Sequence, residues 1–419
     1  MRRPPQAEAH EENPDRLNMK SILELVSAEQ ERQTLSLNLI ASENYVSDYV
    51  RKVLGTVFTN KYAEGYPGKR WYGGCENTDL VEQHAIDLAK KLFNADHANV
   101  QPHSGTQANL AAYLTLIEPG DKVLAFKLDH GGHLSHGAAF NASGKFYKFI
   151  HYGVNRETGR IDMDEYKRLL KENPDIKLVV AGASSYPRGI DFETMGKLAH
   201  DQKALFMADI AHISGLVAAG EHQSPVPHAD IVTMSTHKTI RGPRGGLALC
   251  TDKWAKKLDR AVFPGAQGGP LVHVIAAKAA MLEEALKPEF KTYIKRVIAN
   301  AKALAKAFSE RDAKRYRVLT GGTDNHMVMV DITGTGKNGK EVEDALGVHS
   351  IYINKNFIPF DPKPVTETSG IRVGTPMITT MGAVEADMPR IVDMIDKAIR
   401  GEKIEGVVHA FMRELAGRK

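Results

Sequence analysis

A single lysine in a tight, polar loop is the first residue whose surroundings suggest chemistry. Lys238 follows an apolar run from Ile231 to Met234 that is typical of a buried strand. Glycines and a proline between Gly242 and Gly246 require the chain to turn directly afterwards. A desolvated amine in such a loop can form a Schiff base with a carbonyl cofactor. A solvated loop lysine is the alternative, because most lysines are exposed.

Three other segments carry groups that suit the same chemistry. Ser104, Gly105 and Thr106 open a helix after a short strand, where free N–H groups would suit a phosphate or simply cap the helix. Asp209 ends an apolar strand and needs a cationic partner, either a protonated pyridine nitrogen or an internal salt bridge. Arg372 lies in an apolar run and needs an anion, either a ligand carboxylate or an internal one.

Two motifs that resemble binding sites receive a different interpretation. His130, His133 and His136 are three residues apart, but the intervening glycines disfavour a helix and few further ligands are near. We therefore predict no metal, and expect a flat imidazole over an aromatic cofactor ring instead. Residues 334–340 have the spacing of a phosphate-binding loop, yet Glu341 stands where a hydroxyl is required.

Residues 59–75 form a loop that is unusually rich in aromatic residues and glycine. Its aromatic residues are Tyr62, Tyr66, Trp71 and Tyr72. Loops of this composition are often shaped for ligands or partners, although packing over the core explains them as well.

Composition excludes several classes of protein. The chain has 419 residues, 42% of them apolar and 25% charged, with a net charge of +4. This modest charge predicts neither nucleic-acid nor membrane binding, and no apolar run is long enough to span a bilayer. The two cysteines, Cys75 and Cys250, fit a reducing compartment. Residues 1–18 are polar, without the apolar core of a signal peptide, so we expect a flexible arm and a cytoplasmic protein.

Short apolar runs alternate with helical patterns over most of the chain. The predicted strands of the first part are 98–101, 123–126, 146–150, 178–181, 205–208, 231–234 and 247–250. This alternation predicts an α/β domain with a mostly parallel sheet. A long helical stretch follows, and then a mixed pattern typical of a smaller α+β domain. We therefore expect an N-terminal arm and helix (1–50), a large domain (51–287) and a small C-terminal domain (288–419).

Several motifs together closely resemble the serine hydroxymethyltransferase family, from about residue 20 to beyond residue 400. They are LIASEN (39–44), TNKYAEGYPGKRWYGG (59–74), QPHSGTQAN (101–109), HGGHLSHG (130–137), ADIAH (208–212), THKTIRGPRGG (236–246), VFPGAQGGP (262–270), GGTDNH (321–326) and SGIRVGTP (369–376). The resemblance implies a fold-type I pyridoxal-phosphate enzyme. It also implies reversible transfer of the serine hydroxymethyl group to tetrahydrofolate, which gives glycine and 5,10-methylenetetrahydrofolate.

The resemblance implies cofactor roles for individual residues. Lys238 would carry pyridoxal phosphate as an internal aldimine, Asp209 would pair with its ring nitrogen, and His133 would stack on its ring. The other implied cofactor contacts are Ser104, Gly105 and Thr106 to the phosphate, Gly268 and Gly269 from a neighbouring subunit, and Ser184, His212 and His237 around the lysine.

The resemblance also implies substrate contacts. Arg372 would bind the substrate carboxylate, with Ser42 and Tyr72 nearby. Glu64 would exchange protons with the serine hydroxyl and with folate, and Tyr62 and Glu64 would reach across a homodimer interface. The implied folate contacts are Glu64, Leu128, Gly132, His133, Leu134 and Asn356.

Some residues depart from the family pattern near the implied folate site. The departures are Asp129, Trp71, Phe360 and the segment 364–366, which lacks an aromatic residue. Two alternatives therefore remain open, a folate-independent aldolase acting on threonine-like 3-hydroxy amino acids and an α-methylserine hydroxymethyltransferase. A catalytically idle scaffold is disfavoured, because Lys238, Asp209, His133, Arg372 and Glu64 are all present.

Overall fold

The chain folds around two β-sheets of different size. The structure is a computed structural model that describes residues 20–418, so the predicted arm at residues 1–18 lies outside the described residues. The strands of the described range are β1 (Leu37–Asn38), β2 (Gly65–Tyr66), β3 (Lys69–Arg70), β4 (His97–Asn99), β5 (Lys122–Phe126), β6 (Lys148–Tyr152), β7 (Ile176–Gly182), β8 (Leu205–Asp209), β9 (Ile231–Ser235), β10 (Gly246–Cys250), β11 (Arg317–Val318), β12 (Met327–Asp331), β13 (Ile351–Tyr352), β14 (Asn354–Asn356) and β15 (Gly370–Gly374).

Helices separate most of these strands. The α-helices of the same range are α1 (Ile22–Leu35), α2 (Asp48–Leu54), α3 (Glu76–Phe93), α4 (Gly105–Leu116), α5 (Ala142–Phe146), α6 (Met163–Glu172), α7 (Phe192–Asp201), α8 (Ser214–Ala219), α9 (Asp252–Arg260), α10 (Val272–Ala285), α11 (Pro288–Arg311), α12 (Gly339–Gly347), α13 (Pro376–Thr380), α14 (Met388–Ile399) and α15 (Glu405–Ala416).

The larger sheet has seven strands in the order β4-β10-β9-β8-β7-β5-β6. Only β10 runs in the direction opposite to the other six strands of this sheet. The predicted α/β class with a mostly parallel sheet is therefore confirmed. Each predicted strand of this part lies at or close to an observed one, because a strand buried on both faces is read as an unbroken apolar run.

Both faces of the large sheet are covered by helices. Successive residues of one strand pack into different clusters, since side chains alternate across a sheet. In β7, for example, Val179 belongs to one cluster and Leu178 and Val180 to the other. This double covering leaves the strand ends as the place where polar side chains gather.

The smaller sheet is antiparallel, with the order β11-β12-β15-β14. Its apolar cluster extends along the chain from Leu304 to Leu415 and also includes Leu37 and Leu39. The short strand β1 pairs with β13, so a segment from the start of the described chain completes the C-terminal unit. We keep the division into 1–50, 51–287 and 288–419 as a proposal.

Helix α1 has an apolar side that the single chain leaves exposed. Its periodicity gathers Ile22, Leu25 and Val26 on one side, as a core-facing helix would. In the single chain these side chains are exposed, Ile22 by 75% and Val26 by 56%, and α1 buries no residue. The apolar side of α1 is therefore available to a partner.

Membrane-spanning helices were not expected from the sequence. No helix within residues 20–418 is long and apolar enough to cross a bilayer.

Candidate active site

One edge of the large sheet collects the chemical groups that the sequence singled out. The parallel strands β4, β5, β7, β8 and β9 all end there, and their following loops carry most of the predicted residues. Ligands of open α/β sheets bind at this carboxyl edge. Strand β15 of the smaller sheet faces the same place through Arg372, which lines the same cavity.

A cavity of about 400 Å³ lies at this edge. The predicted residues that line it are Ser42, Ser104, Gly105, Thr106, His133, Ser184, Asp209, His212, His237, Lys238 and Arg372. These residues are far apart in the sequence, and the fold brings them together around one cavity.

Lys238 projects from a loop that is fastened on both sides. Gly242 N–H donates to the carbonyl of Thr236 at 2.7 Å, and the Thr239 hydroxyl donates to the carbonyl of His212 at 2.9 Å. Burial, reinforced by the charges of Arg372 and Arg244, lowers the pKa of the Lys238 amine to about 8, although Asp209 opposes this effect. Lys238 is thus closer to its nucleophilic neutral form than an exposed lysine.

Asp209 is held ionised by a buried network. Its Oδ2 accepts from Asn109 Nδ2 at 2.8 Å and lies 3.0 Å from His136 Nε2. Burial favours the neutral acid, but the hydrogen bond and charge of His136, together with His133 and Asn109, keep the pKa of Asp209 below its usual range. An ionised carboxylate in a buried site is a suitable partner for a protonated ring nitrogen.

His133 presents a neutral imidazole to the cavity. Its Nδ1 lies 2.6 Å from Ser135 Oγ, and burial lowers its pKa to about 4. Potential ligand atoms of His133, His136 and Asp209 lie within 4.8 Å of one another, a spacing that a metal ion could bridge. In this structure His136 is instead bonded to Asp209, and His133 to Ser135.

The neighbouring histidines are also neutral. Burial and the positive charge of Lys238 keep the pKa of His212 well below its usual value, and burial lowers that of His237 to about 3. His212 Nδ1 lies 3.3 Å from His326 Nε2. Because neither ring is charged, the positive charge of the cavity is concentrated on Lys238 and the two arginines.

Arg372 is a buried cation without an anionic partner in residues 20–418. Its Nη1 donates to the carbonyl of Ser184 at 2.6 Å and its Nη2 to Asn354 Oδ1 at 2.7 Å. Nε has no hydrogen-bond partner in the same range, and burial lowers the pKa of the guanidinium to about 10. The internal carboxylate considered from the sequence is therefore absent from the described chain, and a ligand carboxylate would satisfy this group.

The start of α4 presents free donors at the place where an anion site is predicted. Ser104 caps this helix, and its Oγ accepts from Gln107 N–H at 3.2 Å. The backbone N–H groups of Gly105 and Thr106 have no partner among the hydrogen bonds of the described chain, and both residues line the cavity. The positive end of a twelve-residue helix therefore faces the cavity and would suit a phosphate.

Five predicted residues form a second group outside this cavity. The rings of Tyr62 and Tyr72 are 4.9 Å apart between centroids. A Cβ built on Gly269 would lie 3.0 Å from the Tyr62 ring, and one built on Gly268 would lie 3.7 Å from Glu64 Oε1. None of the five lines the Lys238 cavity of its own chain.

Apart from His133, the predicted folate residues also lie outside the cavity. Leu128 and Leu134 are exposed by 37% and 45%, and Asn356 accepts from the Ser185 hydroxyl at 2.8 Å. Gly132 serves the loop itself, because a Cβ there would lie 2.3 Å from the carbonyl oxygen of Phe126. The glycines before His133 therefore let the loop pack closely against backbone.

The departures from the family pattern are at the periphery. Asp129 Oδ2 lies 3.3 Å from Lys127 Nζ, and Trp71 is 79% exposed. The Phe360 ring packs on His130 at 4.5 Å, and the Arg156 guanidinium lies 4.0 Å from the Phe360 centroid. None of these residues lines the Lys238 cavity.

Several cavity residues were not foreseen from the sequence. Glu43 and Arg244 line the cavity directly, whereas Asn109 and His136 support Asp209 from behind. Arg244 belongs to the same loop as Lys238, so its basic side chain was a usable signal. Asn109 offered none, because its partner is 100 residues away in the sequence.

A nucleophilic lysine, a buried carboxylate at a strand end and a helix start at the carboxyl edge of an α/β sheet define a fold-type I pyridoxal-phosphate enzyme. The serine hydroxymethyltransferase family model matches residues 17–395. The chain is also 54% identical to the serine hydroxymethyltransferase of Deinococcus deserti over 392 residues, which cover 93% of this chain and 95% of the relative. The chain belongs to the serine hydroxymethyltransferase family. This family uses pyridoxal phosphate with tetrahydrofolate as co-substrate, so the predicted enzyme class and cofactor are confirmed.

Proposed function

We propose that the Lys238 cavity is where this enzyme interconverts serine and tetrahydrofolate with glycine, water and 5,10-methylenetetrahydrofolate. The observation that carries the proposal is that a lysine of lowered pKa and a buried arginine without an anionic partner in the described chain open onto one cavity. An amino acid has the two matching groups, an amine and a carboxylate. Membership of the family supplies the reaction.

The side chains of the cavity fit pyridoxal phosphate. Lys238 would bind it covalently, the N–H groups at Ser104 to Thr106 would bind its phosphate, and Asp209 would hold a proton on its ring nitrogen. Ser184, His133, His212 and His237 complete the walls. When bound, the cofactor supplies an electron-withdrawing ring that stabilises negative charge at the substrate Cα.

Arg372 would orient the amino acid before any bond is broken. Its free Nε, with the Nη groups, offers a fork of donors that a carboxylate can occupy. Ser42 lies in the same cavity wall, and Tyr72 would join from the second group. Fixing the carboxylate sets the orientation of the Cα–Cβ bond, which is the bond that breaks in serine.

Glu64 would exchange the proton of the serine hydroxyl and serve folate. Since Glu64, Tyr62, Tyr72, Gly268 and Gly269 lie together but outside the cavity of their own chain, we assign them to the cavity of a second copy in a homodimer. Leu128, Gly132, His133, Leu134 and Asn356 would complete the folate site. Three exposed apolar residues close to Tyr62, Glu64 and Tyr72 in the sequence support an interface, namely Val57, Trp71 and Leu80.

The proposed compartment is the cytoplasm. Cys75 and Cys250 are both buried free thiols, and such thiols are usual where disulfides do not form. We propose no metal, nucleic-acid or membrane partner.

The test compares serine cleavage with and without tetrahydrofolate. Wild-type protein loaded with pyridoxal phosphate should release glycine rapidly only when tetrahydrofolate is present, and Lys238→Ala should abolish this. The matched control is Lys256→Ala, which removes an exposed lysine outside the cavity. Folate-independent cleavage of threonine-like substrates at the higher rate would support the aldolase instead, and normal serine turnover by Lys238→Ala would refute the role of the lysine.

A further inference from the structure

Lys278 is a completely enclosed cation that the proposed reaction does not use. It belongs to α10 and is 1% exposed. Its Nζ donates three hydrogen bonds to backbone carbonyls, those of Val100 at 2.6 Å, Pro102 at 3.0 Å and Gly246 at 2.7 Å. No carboxylate of residues 20–418 forms an ion pair with it. A buried ammonium is costly, so these hydrogen bonds must offset its desolvation.

The three carbonyls belong to the two segments that build the phosphate end of the cavity. Residues 100–104 lead from β4 into the start of α4, and Gly246 begins β10. Gly246 N–H donates to the carbonyl of Pro102 at 3.0 Å. A Cβ at Gly246 would lie 2.2 Å from the carbonyl oxygen of Ser104, so the two segments touch directly.

The same contact extends to the lysine loop. Thr236 N–H donates to the carbonyl of Gly245 at 3.1 Å, and Thr236 precedes Lys238 by two residues. A Cβ on Gly245 would lie 2.6 Å from Lys278 Cε, so Gly245 leaves just enough room for the lysine chain. Lys is the side chain that offers three donors on one atom and no acceptor. One ammonium therefore fixes both the helix start and the far end of the Lys238 loop.

We propose that Lys278 is a positioning residue that holds the phosphate-binding N–H groups of Gly105 and Thr106 in register with the Lys238 loop. Without it the carbonyls of Val100 and Gly246 lose this donor and the Pro102 carbonyl keeps only the Gly246 N–H. Beyond the pairing of β4 with β10, that backbone hydrogen bond is then left to hold residues 100–104 against Gly246. The N–H groups of the helix start then no longer converge on one anion. The inference rests on the proposed phosphate role of Ser104, Gly105 and Thr106.

The test separates the phosphate from the rest of the cofactor. Apoprotein is titrated with pyridoxal phosphate and with pyridoxal, which lacks the phosphate, and the two dissociation constants are compared. Lys278→Met should reduce the preference for pyridoxal phosphate by about tenfold or more. The reason is that the phosphate loses binding free energy equal to about one charge-assisted hydrogen bond. Binding of pyridoxal should change little. An unchanged preference in the folded variant would overturn the proposal.

Two further variants keep the outcome decisive. Gly245→Ala retains the ammonium but displaces it, and should lower the same preference even if Lys278→Met does not fold. Leu282→Ala removes a fully buried side chain of the same helix, so it should reduce stability while leaving the preference unchanged. If Leu282→Ala lost as much of this preference as Lys278→Met, Lys278 would act only by stabilising the fold, and the proposal would be overturned. If wild-type protein itself did not prefer pyridoxal phosphate, the proposed phosphate site would fail instead.

Discussion

Burial and the positive side chains around Lys238 set the pH at which its amine can react. Because burial, Arg372 and Arg244 lower its pKa to about 8, the neutral amine is abundant at a pH where an ordinary lysine is almost wholly protonated. The rate at which apoprotein captures pyridoxal phosphate should therefore rise with pH, with a midpoint near 8, and level off above it. Stopped-flow absorbance measures this rate directly.

Arginine variants test the cause of this midpoint. Arg244→Met removes a charge that lowers the Lys238 pKa, so the midpoint should move to higher pH. Arg241→Met is the matched control, because this arginine stacks on Tyr293 at 4.2 Å and does not line the cavity. A wild-type midpoint near 10.5, the ordinary lysine value, would contradict the effect of burial.

The guanidinium N–H groups of Arg372 should be needed for binding the substrate rather than for folding. Arg372→Lys keeps a charge but loses bidentate geometry, so we expect KM for serine to rise about 100-fold, as for loss of a strong charged pair. Steady-state kinetics at saturating cofactor provide the measurement. Arg317→Lys is the control, since Arg317 pairs with Asp331 in the same sheet but outside the cavity. A serine KM equal to that of the control would argue against carboxylate binding.

At the residue scale, the sequence predicted reactive groups better than their supports. Lys238, Asp209 and Arg372 were identifiable because each is a charged group beside an apolar run, where it needs an explanation. The hydrogen bonds of Asn109 and His136 to Asp209 could not be predicted, because a contact between distant segments produces no pattern in the sequence of either segment. His136 was noticed only as a possible metal ligand.

Helices α11 and α14 are joined through one buried carboxylate, Asp396. It is 4% exposed and accepts from Arg311 Nη2 at 2.8 Å and from the Tyr316 hydroxyl at 2.7 Å. Asp396→Asn should lower the free energy of unfolding by roughly 3 kcal/mol, because it leaves buried donors poorly satisfied. Asp393→Asn removes a half-exposed partner of the same arginine and should cost less than about 1 kcal/mol. Urea denaturation measures both.

The effect of Asp396→Asn should depend on pH. Burial opposes ionisation, but the hydrogen bonds from Tyr316 and Arg311 keep the pKa of Asp396 below its usual value. The stabilisation is therefore fully present above the pKa of the unfolded chain and is lost as pH falls through the lower folded pKa. The difference between wild type and variant should shrink in acid, and an equal difference at acid and neutral pH would contradict the ionic explanation.

At the element scale, long helices and buried strands were predicted closely. The strand predicted at 231–234 is β9, and the helix predicted to open at Ser104, Gly105 and Thr106 is α4. The hairpin of β2 and β3 was missed, because its two-residue strands are too short to show a period. Strand β14 was missed since its residues, Asn354 to Asn356, are polar and only partly buried.

The two separated groups of site residues lead to a test with whole molecules. Lys238→Ala and Glu64→Gln should each be inactive alone. If Glu64 serves the cavity of a second copy, unfolding and refolding the two variants together creates mixed dimers with one intact site. Activity should return to roughly a quarter of wild type at equal mixing, because half the dimers are mixed and half their sites are intact.

An arrangement within one chain gives the opposite result. Each chain of the mixture then carries one damaged site, and no activity returns on mixing. Refolding each variant by itself controls for reversion and handling losses. The exposed apolar side of α1 belongs to this scale too, since the single chain leaves Ile22, Leu25 and Val26 uncovered.

The pairing of β1 with β13 has a consequence for how the polypeptide can be divided. Residues 37–41 form a strap on the C-terminal unit, where β1 pairs with β13. Gly374 N–H donates to the Leu39 carbonyl at 2.7 Å, and Ala41 leaves no space for a Cβ on Gly374. A ribosome must therefore synthesise almost the whole protein before this strap acquires its partners. A fragment that begins at residue 288 lacks this strap, so β13 and Gly374 have lost their partners. A synthetic peptide carrying residues 36–42 should bind the fragment at this place.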